Sequence, residues 1–195
     1  RTCGDLVGIN PVKMAQKGSV AYVMRNGGER RAEPACVSCG NCVSVCPVGA
    51  LMPKSQHEFR EWEVQKIQTT CAYCGVGCQI EFSVKDGVLV DAKPANGPSN
   101  QGLLCVKGKF AYDFINHKDR LKVPMVRKNG VLVESTWEEA LGIVAEKILE
   151  VKEEYGPDAI AGFSSARTVN EDNYLFQKFL RAAVGTNNVD HCARL

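Results

Sequence analysis

No apolar run in this sequence approaches the roughly 20 residues that a membrane-crossing helix needs, and no signal-like leader is visible. In a chain that begins with Arg, the missing leader says little about its address. An excess of one charge is missing too: 24 Lys and Arg stand against 22 Asp and Glu, for a net charge of +2. The two signs are interspersed, with no basic stripe for a nucleic-acid backbone and no polybasic patch for a membrane surface. The first 60 residues also lack any sustained helical period and are punctuated by Gly, Pro and Cys. Small metal-held domains read in this way.

What the chain has in excess is cysteine: ten in 195 residues, namely Cys3, Cys36, Cys39, Cys42, Cys46, Cys71, Cys74, Cys78, Cys105 and Cys192. Disulfide scaffolds are usually much shorter chains, and three cysteines spaced by two residues cannot all find good bridge geometry with one another. Metal clusters in a reducing compartment fit better. At this length, with 45% hydrophobic content, there is material for one ordinary domain or two to three small ones.

Along the chain, "NGGERRAEP" reads as a charged, solvated loop and "HEFREWEVQKIQTT" as a link to the next cysteines. The alternation of "QIEFSVKDGVLVDAKP" about Asp86-Gly87 predicts a β-hairpin, a short helix is expected after Cys105, and Asn129-Gly130 marks a second hairpin-like turn. Thr136 with Glu139 makes a capping-box start, Leu141, Val144, Ala145 and Ile148 repeat at helical spacing, and Gly156-Pro157 stops the helix. "DAIAGFSSA" reads as a buried strand and "NEDNYLFQKFLRAAVG" as a helix ending at Gly185, while "GTNNVDHCARL" looks loop-like. One clear strand cannot close its own sheet, so this last region reads as the opening of an α/β layer domain. The sheet edge exposed after "DAIAGF" would make the segment unstable in isolation.

The fold class is therefore α+β to α/β. Read with the cysteine spacings C-x2-C-x2-C-x3-C-P from Cys36 to Pro47 and C-x2-C-x3-C-x26-C from Cys71 to Cys105, the expected organisation is a ferredoxin-like iron-sulfur domain over residues 1–62, a small β-rich 4Fe-4S domain over 66–123, and the incomplete start of an α/β domain over 124–195.

Two cysteine constellations carry the chemistry. "CVSCGNCVSVCP" is C-x2-C-x2-C-x3-C-P from Cys36 to Pro47. Three thiolates at that spacing wrap three corners of a cubane cluster, and the fourth cysteine turns away to a neighbouring cluster. Cys36, Cys39 and Cys42 then need a ligand from upstream, where Cys3 is placed to supply it; Cys46 would serve a cluster whose other ligands lie before Arg1. The second set, "CAYCGVGC" and "LLCVKGKF", is C-x2-C-x3-C-x26-C across Cys71, Cys74, Cys78 and Cys105. Four soft thiolates suit a 4Fe-4S cluster or a structural zinc, and Gly75 and Gly77 let backbone N–H groups approach the sulfurs.

In "CAYCGVGC", "GLLCVKGKFAYDFINHKDRL", "PMVRKNG", "STWEEAL" and "GTNNVDHCARL" the chain resembles the molybdenum or tungsten bis-pterin (molybdopterin) oxidoreductases. Within them it is most similar to formate dehydrogenase catalytic subunits, whose mark is "NNVDHCARL". The ferredoxin-like part, with its long insertion between Cys3 and Cys36, looks like the extension found on NAD-linked members and their relatives. The resemblance implies an enzyme, in full-length form, that oxidises formate to carbon dioxide, or the reverse, at a molybdenum- or tungsten-bis(molybdopterin guanine dinucleotide) centre. Electrons would pass through 4Fe-4S clusters, one at Cys71, Cys74, Cys78 and Cys105, one at Cys36, Cys39 and Cys42 with Cys3, and part of a third at Cys46.

By the same resemblance, Lys107 matches the lysine between the proximal cluster and the pterin, where a cation stabilises added negative charge and donates hydrogen bonds. Polar groups of "SSARTVNEDNY" could meet phosphate or pterin edges at a helix start. Packing is the expected role of Cys192. The implied partners are formate or carbon dioxide and electron-transfer subunits of the NAD-linked diaphorase, hydrogenase or ferredoxin kind, with no nucleic acid and no membrane span. A cytoplasmic location is expected.

In formate dehydrogenases the residue after Cys-Ala-Arg-aliphatic is the metal ligand, cysteine or selenocysteine, followed by the catalytic histidine. A chain ending at Leu195 therefore implies selenocysteine as the next residue, its UGA codon read as stop. No catalytic residue is expected within the segment, which alone should not oxidise formate. A nitrate reductase-like bis-pterin enzyme, a pure iron-sulfur electron-transfer module and a zinc-stabilised binding module remain alternative readings.

Overall fold

The computed structural model describes residues 2–9, 11–25, 36–54 and 57–193. The loop read at "NGGERRAEP" and the last two residues lie outside them. The chain forms two compact units, one of residues 1–71 and 78–116 and one of residues 72–77 and 117–195.

The first unit starts with a helical turn, Thr2–Leu6, that carries Cys3. An antiparallel hairpin follows, β1 (Val12–Lys17) and β2 (Val20–Arg25), in register from Val12 opposite Arg25 to Lys17 opposite Val20. It lies in a region whose composition reads as irregular. The two-residue link Gly18-Ser19, with Gly18 at φ +63°, is the signal for it, because tight hairpin turns favour left-handed backbone. The short helix α1 (Asn41–Ser44) comes next.

Strands β3 (Gln65–Thr70), β4 (Gln79–Lys85) and β5 (Val88–Pro94) form a three-stranded antiparallel meander. The β4–β5 turn is the expected one: Asp86 and Gly87 both have positive φ, +51° and +78°, as a two-residue turn that follows the strand twist requires. Strand β3 corrects the reading of a simple link. Its residues Gln-Lys-Ile-Gln-Thr-Thr are all exposed, so no apolar alternation announces a strand, yet it pairs with β4 from Gln65–Val84 to Thr70–Gln79. Glu61 pins its start, reaching Lys66 of β3 at 2.9 Å and Lys93 of β5 at 2.6 Å.

Helix α2 (Val106–Phe110) and a tight helical turn, Asp113–Asn116, supply the helix expected after Cys105. Ile80, Leu89, Val90, Ala92, Ala95 and Leu104 form the small core with Cys71. Tyr112 closes it, edge-on to Phe82 and donating its hydroxyl to the Val90 carbonyl. Burial raises that phenol to about 12. Because this core is small, a polar side chain ties its loops. Buried Asn100 accepts the Gln79 N–H at 3.0 Å and donates to the carbonyls of Ala95 (2.9 Å), Leu103 (2.9 Å) and Gln79 (3.2 Å). It thereby fixes the residue after Cys78 to the loop that leads into Cys105.

In the second unit, β6 (Met125–Lys128) and β7 (Val131–Glu134) form the expected hairpin, with Asn129 and Gly130 at φ +51° and +82°. Helix α3 (Trp137–Tyr155) begins where Thr136 Oγ1 accepts the Glu139 N–H and ends at Gly156, φ +84°, before Pro157. Only half the capping box forms, since the Glu139 carboxylate takes the Ser135 hydroxyl and Lys128 instead. The helical stripe is present but Leu141 and Val144 remain exposed.

Strand β8 (Gly162–Ser164) is only three residues long and leaves Phe163 82% exposed, which corrects the expectation of a buried strand. Helix α4 (Asn170–Phe179) runs into a wide turn, Leu180–Val184, and stops at Gly185 as expected. The tail then departs from its loop-like reading: β9 (Val189–His191) pairs in parallel with β8, Gly162 opposite Val189 and Ser164 opposite His191. The unit thus contains a βαβ crossover, the connection that parallel strands require. Buried Thr186 anchors it, donating to Asp158 at 3.1 Å and accepting the Asn188 N–H at 3.2 Å.

Asn100→Ala leaves several partly buried backbone groups unpaired, each worth about 1–3 kcal/mol. It should lower stability by roughly 2–3 kcal/mol, read as a reduced urea midpoint for the first unit; an unchanged midpoint would show that the loop has other anchors.

Candidate metal centres

In the first cysteine set, Ser38 and Gly40 take left-handed φ of +54° and +71°, bending the chain so that Cys36, Cys39 and Cys42 follow one another around a turn into α1. The Ser38 N–H donates to Cys36 Sγ at 3.4 Å. The Thr2–Leu6 turn packs against α1, which brings Cys3 to the set from more than thirty residues away in the sequence. Its thiol is pushed up by burial first, and then by the thiolate charges of Cys42, Cys39 and Cys36. Cys3 is therefore within electrostatic reach of all three cysteines of the later segment.

Cys46 has a different environment. Backbone N–H groups of Leu51, Val48, Ala50 and Gly49 surround its sulfur and hold the thiol below its ordinary range. Such a nest of N–H groups favours an anionic sulfur.

In the second set, Cys71 follows β3 and donates its N–H to the Cys78 carbonyl at 2.8 Å, just before β4 begins. Cys105 caps the start of α2, and Gly108 brings that helix close to Cys71: a methyl at Gly108 would lie 3.6 Å from Cys71 Sγ and 3.3 Å from Leu104. Cys71 is buried, Cys78 half-buried and Cys105 exposed. Cys74 lies on the intervening loop, grouped with the second unit. There Gly75 supplies space: the Asn170 side chain at the start of α4 donates to the Gly75 carbonyl at 2.8 Å, and a Cβ on Gly75 would overlap its amide.

None of the ten cysteines is joined to another in a disulfide. Among the described residues no three His, Cys, Asp or Glu side chains converge as the ligands of one ion do; cubane thiolates each bind a different iron. The donors are soft thiolates, and glycines open the backbone at positions 40 and 108. That combination suits iron-sulfur clusters.

Lys107 lies on the exposed side of α2. Two residues on, Lys109 is the lysine that the sequence reading missed. It is only 5% exposed, and its ammonium donates to the Gly40 carbonyl (2.9 Å), Asn41 Oδ1 (3.3 Å) and Ser44 Oγ (2.5 Å). Buried Asn41 also accepts the Leu104 N–H at 3.4 Å. Burial lowers the Lys109 pKa, while the thiolates of Cys39 and Cys42 and then Asp91 oppose that shift. The available signal was its place four residues after Cys105, one helical turn away.

The polar groups of "SSARTVNEDNY" are engaged with one another. Thr168 bonds Asp172, Ser164 bonds Asn173, and Ser165 accepts the Arg167 N–H. Cys192, expected to pack, is exposed and lies 3.5 Å from the Ser165 hydroxyl; that contact, with the Ala166 backbone, lowers its thiol pKa.

Two thiolate sets on small, hairpin-rich folds define an iron-sulfur class of protein. The comparisons agree: residues 33–52 match the 4Fe-4S binding domain, 64–117 the molybdopterin oxidoreductase Fe4S4 domain and 120–195 the molybdopterin oxidoreductase domain. The chain belongs to the molybdopterin oxidoreductases. Similar curated proteins come from Staphylococcus aureus and carry the provisional name formate dehydrogenase. Those of strains Mu50 and MSSA476 are 38% identical and that of strain MRSA252 is 37% identical, each over 83% of this chain. The chain spans about a fifth of their length, 20% in each case. Among the described residues no helix is long and apolar enough to cross a membrane.

A Cβ on Gly40 would lie 2.6 Å from both Lys109 Cδ and Phe110 Cζ, in a backbone conformation at φ +71°. The left-handed conformation alone costs a residue with a Cβ roughly 1–2 kcal/mol. Gly40→Ala should therefore destabilise the first unit by about that much or more, seen as a lower denaturation midpoint; a neutral result would mean that Lys109 and Phe110 move aside freely.

Proposed function

We propose that this chain is the electron-carrying front of a formate dehydrogenase catalytic subunit. The observation that carries the iron-sulfur part is the gathering of Cys3 with Cys36, Cys39 and Cys42. The turn that carries Cys3 packs against α1, and Cys3 feels the charges of Cys42, Cys39 and Cys36, which supports reading the four as the donor set of a 4Fe-4S cluster. Cys71, Cys74, Cys78 and Cys105 hold a second cluster, and Cys46, with its sulfur in a nest of N–H groups, supplies one ligand of a third. The proposed substrate rests on the names of the relatives and on the "NNVDHCARL" stretch.

When bound, a molybdenum or tungsten bis-pterin centre supplies the two-electron chemistry by which formate yields carbon dioxide, one proton and two electrons. This chain's own residues serve the electrons. The thiolates fix cluster positions, so that electrons leave singly along a set path. The Lys107 cation stabilises added negative charge at the proximal end and offers donors to the pterin. Electron-transfer partner subunits would receive what the clusters deliver.

The holoprotein, purified without oxygen, should carry about eight irons for the two complete cysteine sets, with molybdenum or tungsten, and should reduce a viologen dye when formate is added. Cys71→Ala should remove about four irons and abolish that dye reduction, while the signal of the other cluster persists in electron paramagnetic resonance. Iron without pterin metal would instead support a pure electron-transfer module. Zinc without iron would overturn the cluster assignment.

A further inference from the structure

Lys109 joins two segments that the proposed function treats as separate stations. Its backbone belongs to α2, where its N–H bonds the Cys105 carbonyl at 3.2 Å. Its ammonium ends among residues interleaved with Cys39, Cys42 and Cys46, donating to Gly40, Asn41 and Ser44. An ammonium has three N–H donors, and three acceptors face it here. The charge is nearly sealed from water and interacts with the Cys39 and Cys42 thiolates. Asn41 reinforces the link by also accepting the Leu104 N–H. Gly40 makes room for the lysine stem, since a Cβ there would overlap it.

A buried cation held this way acts on whatever negative charge its neighbours acquire. Reduction adds one electron to an iron-sulfur cluster, and a fixed positive charge in a low-dielectric setting stabilises the reduced form more than the oxidised one. We propose that Lys109 is a positioning residue that bridges the two cluster-binding segments and raises the reduction potential of the cluster at Cys3, Cys36, Cys39 and Cys42. With clusters bound at both sets, this charge would favour an electron residing at Cys3, Cys36, Cys39 and Cys42 over Cys71, Cys74, Cys78 and Cys105. The chain of bonds from Cys105 through Lys109 to Gly40 and Asn41 also offers that electron a short covalent and hydrogen-bonded route. The proposal rests on the cluster assignment of the preceding section.

The test is a redox titration of the holoprotein, followed by electron paramagnetic resonance, for the native protein, Lys109→Met and Lys109→Arg. In Lys109→Met the signal of the Cys36, Cys39 and Cys42 cluster should titrate at lower potential, with the ratio of reduced to oxidised cluster at a fixed potential falling about tenfold, which is ~59 mV for one electron. Lys109→Arg, which keeps the charge, should restore most of it. Should Lys109→Met not retain the cluster, Lys109→Gln takes its place, keeping two N–H donors while losing the charge. An unchanged potential in a neutral variant that holds both clusters overturns the proposal, as does an equal shift in Lys109→Arg, which would make the residue a purely structural anchor. Absence of both cluster signals from the native protein would sink the underlying function instead, so the two failures are distinguishable.

Discussion

The hydrogen bonds that buried Asn100 makes to the backbone of Gln79, Ala95 and Leu103 tie the residue after Cys78 to the loop that leads into Cys105. Cysteine-bearing loops cannot be pinned by apolar packing in a unit whose core is a handful of aliphatic residues. Loops also leave backbone donors and acceptors that a buried site must satisfy. One amide side chain answers both needs, because it offers donors and an acceptor together. Around it the antiparallel meander supplies a rigid frame, and Cys71 and Cys78 face each other across the base of the loop that the β3–β4 pairing closes.

The second unit follows the same economy. Its parallel pair is only three residues long on each side, too short to specify itself by side-chain pattern. Thr186 and Asn188 supply the specificity instead. Both bond Asp158, and the Asn188 carbonyl takes the Gly162 N–H, which sets the register of β9 on β8. Gly162 completes the arrangement by letting Leu180 and Phe176 lie against the strand where a Cβ would overlap them.

Features specified within a few residues were legible in the sequence. Asp86-Gly87 and Asn129-Gly130 have the residues that left-handed turns demand, and Thr136 and Gly156 mark both ends of α3. Cysteine spacing likewise reads locally, and Cys3, expected to serve the later set, lies within electrostatic reach of Cys36, Cys39 and Cys42. Strands β3 and β9 were hidden because their evidence is a partner strand, while their own residues are mostly polar and are exposed or half-buried. Lys109 was hidden for a similar reason. A lysine is ordinarily an exposed residue, and the three acceptors that bury this one lie 65 to 69 positions earlier. Asn100 carries no local signal of its role either, since two of its four bonds go to Gln79, 21 positions earlier.

That separation also has a consequence for how the protein is made. Chains grow at roughly 5–20 residues per second, so Gly40, Asn41 and Ser44 emerge about 3 to 14 s ahead of the lysine that joins them. During that interval the early cysteines exist in a nascent chain whose neighbouring acceptors are met only by water. The segment around Gly40, Asn41 and Ser44 therefore cannot reach its finished arrangement until Lys109 has been synthesised.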